Sequence, residues 1–341
     1  EHLASIKSAQ DAWVLALGRR LHDKFGVPWD LMQPLTREQR EVLLTRTMRR
    51  QMRFGQSKLL VAHVKHGLGN RLRALSSAMA FAKATNRELL VVWEQDRHCA
   101  AQFSDIFDWN ASGIIATTVG PKWPLVESLS YDAAWKAFKV YNYMEMEGHG
   151  AVKGRVIADD PTAHLYFKSA YVMEAPGLSS WETENEMLRS LVANKEVEDI
   201  ISTSVPVDIH ERVGVHIRSR NLEHDIDQID FVKEYGYQAV ETMEFWRKKA
   251  SHVNFMGKMD EIIRKNPREK FFLAVDSIEI ITALRDRYPG KIACIRRECD
   301  TREAKCLMFA FADLAALGKT KYLLGSNWSS FSEAAQRLGG N

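Results

Sequence analysis

A chain of 341 residues, 45% apolar and 27% charged, is long enough for two globular domains, and no apolar run in it reaches the length of a membrane span. Its net charge is +3, but residues 1–58 alone carry 3 Lys and 8 Arg against 6 acidic residues. Because a nucleic-acid-binding protein usually spreads its basic excess over a binding face, this concentration argues against a nucleic-acid partner.

Residues 1–57 are predicted to form a helical N-terminal extension, with turns around residues 26–28 and 33–34. Thr36 and Gln39 have the spacing of a capping box, which predicts a helix start there. The chain begins with Glu1, so we expect it to start inside a longer protein, and a membrane anchor outside the numbered residues is compatible with this.

Residues 59–93 are typical of a strand–turn–helix–strand unit. The apolar strands are predicted over residues 59–64 and 89–93, and apolar residues recur at helical spacing from Leu68. The turn between them contains Gly67, Gly69, Asn70 and Arg71, and a helix N-terminus of this kind can face an anion. The third glycine of the dinucleotide fingerprint is missing, which makes a Rossmann dehydrogenase the weaker interpretation. Asn70 has an alternative role as the helix cap.

Residues 94–205 are less regular. Strands are predicted over residues 114–119 and 164–168, and a helix over 184–202. The aromatic- and methionine-rich stretch 131–149 is interpreted as a core helix, with one wall of an acceptor pocket as the alternative. Ser204–Pro206 is predicted to link two α/β domains.

The apolar stretch 213–217 is predicted to be a buried strand. His216 within it and Arg218 directly after it are two positions apart, so their side chains are expected to point to the same face. Cationic side chains at the carboxyl end of such a strand are well placed to hold an anionic ligand. The alternative is an arginine paired with a carboxylate at the sheet edge. Acidic residues follow at 225, 227 and 230, but without the spacing of a calcium-binding EF-hand, so a solvated loop is expected.

The remaining elements repeat the α/β pattern. Helices are predicted around 255–265, over 277–288 and over 303–317, with strands over 271–275, 291–295 and 322–324. Asp276 follows a strand directly, and Asp313 is a lone charge within an apolar helical stretch. Ser329, Ser330, Phe331 and Ser332 lead into a final helix, and serines before a helix both cap it and can cradle phosphate.

Four polar groups thus follow strand ends or precede helices: the Gly67–Arg71 turn, His216 with Arg218, Asp276, and the Ser329–Ser332 turn. In an open α/β fold such ends gather on one side of the sheet. A ligand with a diphosphate and a base fits this combination, since a carboxylate such as Asp313 can accept two N–H bonds from a guanine edge.

The four cysteines contain no Cys-x-x-Cys metal signature. Cys294, Cys299 and Cys306 lie within thirteen residues, which permits a disulfide in an oxidising compartment, and buried free thiols are the alternative. Asn110 and Asn327 each begin a glycosylation sequon.

Together these motifs resemble the fucosyltransferase superfamily of GT-B glycosyltransferases, which includes α-1,2-, α-1,6- and protein O-fucosyltransferases. Residues 216–220 are similar to its His-x-Arg motif, and residues 67–72 to its amino-terminal Gly-x-Gly-Asn turn. Asp313, seventeen residues before Ser330, is similar in placement to the aspartate that reads guanine, and residues 326–332 are similar to the Ser-Ser-Phe-Ser turn around the nucleotide.

This resemblance implies two Rossmann-like domains facing a cleft, with the extension over residues 1–57, an acceptor-side domain over 58–205 and a donor-nucleotide domain over 206–341. It implies an inverting transfer of fucose from GDP-fucose to a glycan or glycoprotein, without metal or other cofactor. His216 and Arg218 are the expected catalytic residues, with Arg218 stabilising the departing diphosphate.

The alternatives are a transferase for another GDP-sugar and a sugar- or nucleotide-binding module of the same fold without turnover. The general base stays open, with Glu94, Asp96 and Asp225 as candidates by their position at strand ends. The compartment is the Golgi or secretory lumen if the source is eukaryotic, and the cytoplasm if it is bacterial.

Overall fold

The computed structural model describes residues 35–55, 58–117, 138–144, 154–219, 235–296 and 301–339, together with positions 17, 19, 22–23, 32, 146–147, 150–151 and 232. Up to residue 205, here the first half, the elements are α1 (Arg37–Phe54), β1 (Leu59–Val64), α2 (Leu68–Ala84), β2 (Glu88–Trp93), β3 (Ile115–Thr117), β4 (Phe138–Asn142), β5 (Met146–Glu147), β6 (Gly150–Ala151), β7 (His164–Ser169), α3 (Trp181–Arg189) and α4 (Lys195–Ser204). From residue 206, here the second half, they are β8 (Val213–Ile217), α5 (Tyr237–Lys249), α6 (His252–Lys265), β9 (Phe271–Val275), α7 (Ile278–Arg287), β10 (Ile292–Ala293), α8 (Ala304–Gly318), β11 (Tyr322–Leu324) and α9 (Ser330–Gly339).

Each half contains a parallel sheet. The first has the strand order β3-β2-β1-β7-β4 and the second the order β10-β9-β8-β11. Parallel strands need crossover connections, and helices such as α2 between β1 and β2 provide them. The predicted α/β class with parallel sheets is therefore correct.

The first sheet is covered on both faces. All six residues of β1 are buried, because alternate side chains enter two different cores. Val61 packs in one core with Leu43 of α1, and Leu60 packs in the other with Phe81 of α2. The first helix thus covers the sheet, and it begins with the predicted capping box: the Thr36 hydroxyl accepts from the Gln39 amide, and the Gln39 side chain accepts from the Thr36 amide.

A third core joins the two halves. It contains Trp93 and Phe107 of the first half together with Phe272 and Phe311 of the second. The rings of Phe107 and Phe311 lie edge to face with centroids 4.7 Å apart. The second sheet therefore does not bury its apolar surface alone.

Several predicted elements differ in the structure. Residues 138–142 form strand β4 rather than part of a helix over 131–149, because they pair in parallel with β7 at the sheet edge. The predicted helix over 184–202 is two helices, α3 and α4, since Asn194 begins a new helix by accepting from the amide of Val197. Helix α5 was not predicted, and β10 covers only two of the five residues expected in that strand.

Among the described residues, no helix is long and apolar enough to cross a membrane. Within the same ranges, no three or more His, Cys, Asp or Glu side chains are grouped so as to hold a metal ion.

Candidate functional site

A cleft of about 2260 Å³ is lined by residues of both halves. It receives the α2 N-terminus from the first half and, from the second half, the carboxyl ends of β8 and β9, one face of α8, and the turn before α9. All but one of the sequence-predicted site residues line it: Gly67, Gly69, Asn70, His216, Arg218, Asp276, Asp313, Ser329, Ser330, Phe331 and Ser332. Motifs separated by as many as 265 positions in the chain are thus brought together.

Arg71 is the exception, because its side chain is directed into the protein. It is completely buried, donates to the backbone oxygens of His66 and Glu94, and forms an ion pair with Asp96 at 2.9 Å. Its guanidinium lies 5.1 Å from the centre of the Trp93 ring. These contacts give Arg71 a structural role in holding the turn between β1 and α2, and they do not depend on a ligand.

Strand register brings Arg218 and Asp276 side by side. Ile217 and Val275 are paired in the sheet, so the residues that follow them leave adjacent strands at the same edge. Arg218 Nη1 donates to Asp276 Oδ2 at 2.6 Å, while the Ser219 amide donates to Asp276 Oδ1 at 2.7 Å. Asp276 therefore orients Arg218, whose side chain remains 30% exposed on the cleft.

His216 is held in place by residues of α9 and by Ser326. Its Nδ1 lies 2.7 Å from the Ser332 hydroxyl, and its ring is stacked on Phe331 with centroids 4.6 Å apart. Ser326, at the end of β11, donates to the His216 carbonyl and accepts from the Arg218 amide. Ser326 was not among the predicted site residues, although it begins the stretch 326–332 whose resemblance to the turn around the nucleotide was noted from the sequence.

Gly69 lies at a tight backbone contact between the halves. A Cβ atom at this position would lie 2.6 Å from the carbonyl oxygen of Ser330 and 2.9 Å from the Phe331 nitrogen. Only glycine allows the first turn of α2 to meet the first turn of α9 at this distance. The cap of α2 is Gly67, with no side-chain hydrogen bond, so the alternative role of Asn70 as the cap is wrong. Asn70 lies in the first helical turn and faces the cleft.

Asp313 is 2% exposed on α8. Its neighbours along the cleft-lining face of this helix are Cys306, Ala310 and Leu317, at intervals of three or four residues. A carboxylate at this depth is costly unless it is well hydrogen-bonded, so its position on the cleft is a strong pointer to polar chemistry there.

Two of the candidate bases are engaged elsewhere. Glu94 accepts from Lys65 at 2.5 Å and lies 3.2 Å from His63 Nε2, while Asp96 pairs with Arg71. Neither is among the residues that line the cleft. Burial alone would raise the pKa of Glu94, but the bonds from His63 and Lys65 outweigh it and lower the pKa to about 2. A carboxylate with so low a pKa is a weak proton acceptor.

The third candidate, Asp225, lies outside the described residues, as do the acidic residues at 227 and 230. Asp225 and Asp227 form an Asp-x-Asp sequence, the arrangement through which carboxylates can hold a divalent cation. The expectation of metal independence therefore depends on the resemblance alone.

Two residues on the cleft have a positive φ angle, a backbone conformation that residues other than glycine rarely adopt. His66 has φ of 66° and Trp328 has φ of 56°. Trp328 is also 60% exposed, beside the serine turn. Sequence reasoning missed both, because a left-handed conformation at His or Trp leaves no signal in composition or periodicity.

Of the four cysteines, Cys99 and Cys294 are thiols and Cys306 is disulfide-bonded. The remaining cysteine, Cys299, lies outside the described residues. A disulfide, one of the two alternatives for these thiols, is therefore present, and it is anchored on the cleft-lining helix α8. Both sequon asparagines, Asn110 and Asn327, are exposed.

No protein-family model matches the chain, and no curated protein sequence matches it. Its fold is similar to that of an α-1,6-fucosyltransferase, NodZ, in a crystal soaked with GDP-fucose, with a TM-score of 0.51, 15% identity, and coverage of 83% of this chain and 93% of that one. NodZ from Bradyrhizobium gives the same score and identity over 82% and 93% of the two chains. A mutant of Arabidopsis thaliana FUT1 in complex with GDP gives 0.54 and 15% over 90% and 78%. These likenesses establish a fucosyltransferase fold.

Proposed function

We propose that this protein is a glycosyltransferase that moves fucose from GDP-fucose to a glycan or glycoprotein. The observation that carries this proposal is the convergence of four separate motifs on one cleft, in a fold shared with fucosyltransferases whose structures contain GDP or GDP-fucose. In the proposed GT-B arrangement, the first half binds the acceptor and the second half binds most of the donor.

Different residues bind different parts of the donor. Asp313, buried on α8, accepts from the guanine edge. The Ser329–Ser332 turn presents hydroxyls and the first amides of α9, which are suited to a diphosphate. Arg218 supplies the fixed positive charge, and Asp276 holds it in one orientation.

The chemistry requires stabilisation of the leaving group. As the bond from the fucosyl carbon to the diphosphate oxygen breaks, that oxygen gains negative charge. Arg218 and the α9 amides are preorganised donors for this charge, and one such donor contributes about 10²–10³ to the rate. His216 fixes the serine turn through Ser332 and Phe331 and so acts beside Arg218. We propose that the transfer inverts the anomeric centre and needs no metal ion.

The test measures the release of GDP from GDP-fucose in the presence of a panel of glycans and glycoproteins. GDP-mannose and UDP-galactose are assayed separately as alternative donors. We expect acceptor-dependent release from GDP-fucose, and a product whose anomeric configuration, determined by NMR, is opposite to that of the donor. If the protein turned over another GDP-sugar and not GDP-fucose, that sugar nucleotide would be the donor instead. Binding of GDP-fucose without turnover across the panel would indicate a binding module.

A further inference from the structure

The last helix, α9, packs on α8 of the second half, but it also contacts the first half from its first turn to its last. Its first turn meets Gly69 of α2 at Ser330, as described above. The same turn carries Glu333, whose Oε2 lies 3.1 Å from Arg73 Nη1 of α2. At its end, the Leu338 carbonyl accepts from Arg189 of α3 at 3.2 Å.

The most deeply buried of these contacts involves Arg337, which is 1% exposed. Its Nη2 donates to Glu184 Oε2 at 2.6 Å and its Nε donates to Asn185 Oδ1 at 2.8 Å, while its guanidinium lies 4.3 Å from the centre of the Trp181 ring. Burying such a pair carries a large desolvation penalty, which good geometry must offset. Because its geometry is specific, this pair fixes where α9 lies relative to α3.

The docked residues share one face of the helix. Ser330, Glu333 and Arg337 are spaced by three and four positions, which places them in one row along α9. Phe331 and Ser332, which contact His216, lie outside this row in the first turn. The first half therefore holds one side of α9, while α8 and, at the first turn, His216 of β8 contact its other side.

We propose that Arg337 and Glu184 are positioning residues for the donor diphosphate, because they set the place of the helix whose first turn receives it. This inference depends on the proposed function, in which the Ser329–Ser332 turn binds phosphate. Neither residue lines the cleft, so neither acts by touching the donor. Preorganised donors lose much of their effect when they move by about 0.5 Å, so a small shift of α9 weakens phosphate binding.

The experiment compares GDP with guanosine, which has the same base but no phosphate. Glu184→Gln keeps the shape of the side chain and removes its charge. We expect its affinity for GDP to fall about tenfold, the equivalent of about 1.4 kcal/mol, while its affinity for guanosine changes less than about twofold. Calorimetry measures the first and saturation-transfer NMR the second.

The matched control is Glu88→Gln. Glu88 is equally buried, with a side chain 4% exposed against 7% for Glu184, and it pairs with Arg50 at 3.0 Å at the start of β2. Its substitution lowers stability in the same way but leaves the ratio of GDP to guanosine affinity at the wild-type value. This ratio separates positioning from general destabilisation.

An unchanged ratio in Glu184→Gln, or an equal loss of both affinities, overturns the positioning role while the proposed function stands. A wild-type protein that binds no GDP overturns both. If Glu184→Gln does not fold, Arg189→Ala carries the test, because it removes an exposed contact to the same helix and must shift the ratio in the same direction. A normal ratio in that variant overturns the positioning role.

Discussion

Replacement of Gly69 by alanine tests the contact on which the geometry of the cleft depends. The new Cβ would lie 2.6 Å from the Ser330 oxygen, where ordinary van der Waals contact begins at 3.4 Å, so the two backbones must separate by about 0.8 Å. Both partners are backbone atoms that cannot rotate away. Overpacking of this kind costs about 1–3 kcal/mol, and we expect a loss of about 2 kcal/mol in the free energy of unfolding, measured with urea.

The same separation moves the amides of Ser330 and Phe331, so we also expect GDP affinity to fall about tenfold, measured by calorimetry. The control is Gly257→Ala in α6, where a Cβ meets nothing within 4 Å. That change should stabilise the protein by about 0.5–1 kcal/mol, since glycine is unfavourable in a helix interior. A Gly69→Ala protein with wild-type stability and wild-type GDP affinity would refute the reasoning.

Four further predictions follow from the site. Arg218→Ala should slow transfer by about 10²-fold or more, with poor rescue by lysine, whereas Arg212→Ala, at the ion pair with Asp208 on the opposite end of β8, should leave turnover unchanged; near-normal rates in Arg218→Ala would exclude the role. Asp313→Asn should weaken GDP binding about tenfold to a hundredfold and narrow the preference for GDP over ADP and UDP in titration calorimetry, because charge-assisted bonds contribute about 1.5–3 kcal/mol; unchanged GDP affinity would contradict the guanine contact. Saturating EDTA should leave the rate of GDP release unchanged, and a loss restored by Mn²⁺ would contradict metal independence and make Asp225 and Asp227 the first residues to test as ligands. The pKa of Glu94 in the folded protein is lowered to about 2, so its ion pair should stabilise the protein fully above about pH 4.3, the pKa of an unperturbed glutamate. This stabilisation should be lost as the pH falls towards 2. If the difference in unfolding free energy between wild type and Glu94→Gln stays constant over this range, the prediction is wrong.

The sequence predicted best what depends on local pattern. The strand and helix around the Gly67 turn, the strands before Arg218 and Asp276, and the helix that carries Asp313 follow from apolar periodicity and from the residues at their ends. Their convergence also follows, because parallel strands present their carboxyl ends at one edge.

What the sequence did not predict depends on partners that are distant in the chain. Gly69 was interpreted as a turn that leaves amides open to an anion, but its structural requirement comes from Ser330. Arg71 was placed on the ligand, but Asp96 and two carbonyl groups draw it inward. Residues 138–142 were included in a longer predicted helix, but their aromatic and β-branched members favour a strand, and β7 provides the edge on which that strand pairs.

The return of α9 to the first half has a consequence for recombination between related enzymes. A crossover at the linker near residue 205 lies between the two halves of the sequence, but it would separate packed surfaces. Helix α9 would come from one parent, and the residues of α2 and α3 that it contacts would come from the other. However, α9 also packs on α8, where Gly339 closely approaches Gly318, so transfer of residues 330–339 together with the first half would disturb that contact instead. No single crossover keeps every contact of α9, so a working chimaera must also match the residues that α9 touches on α2, α3 and α8.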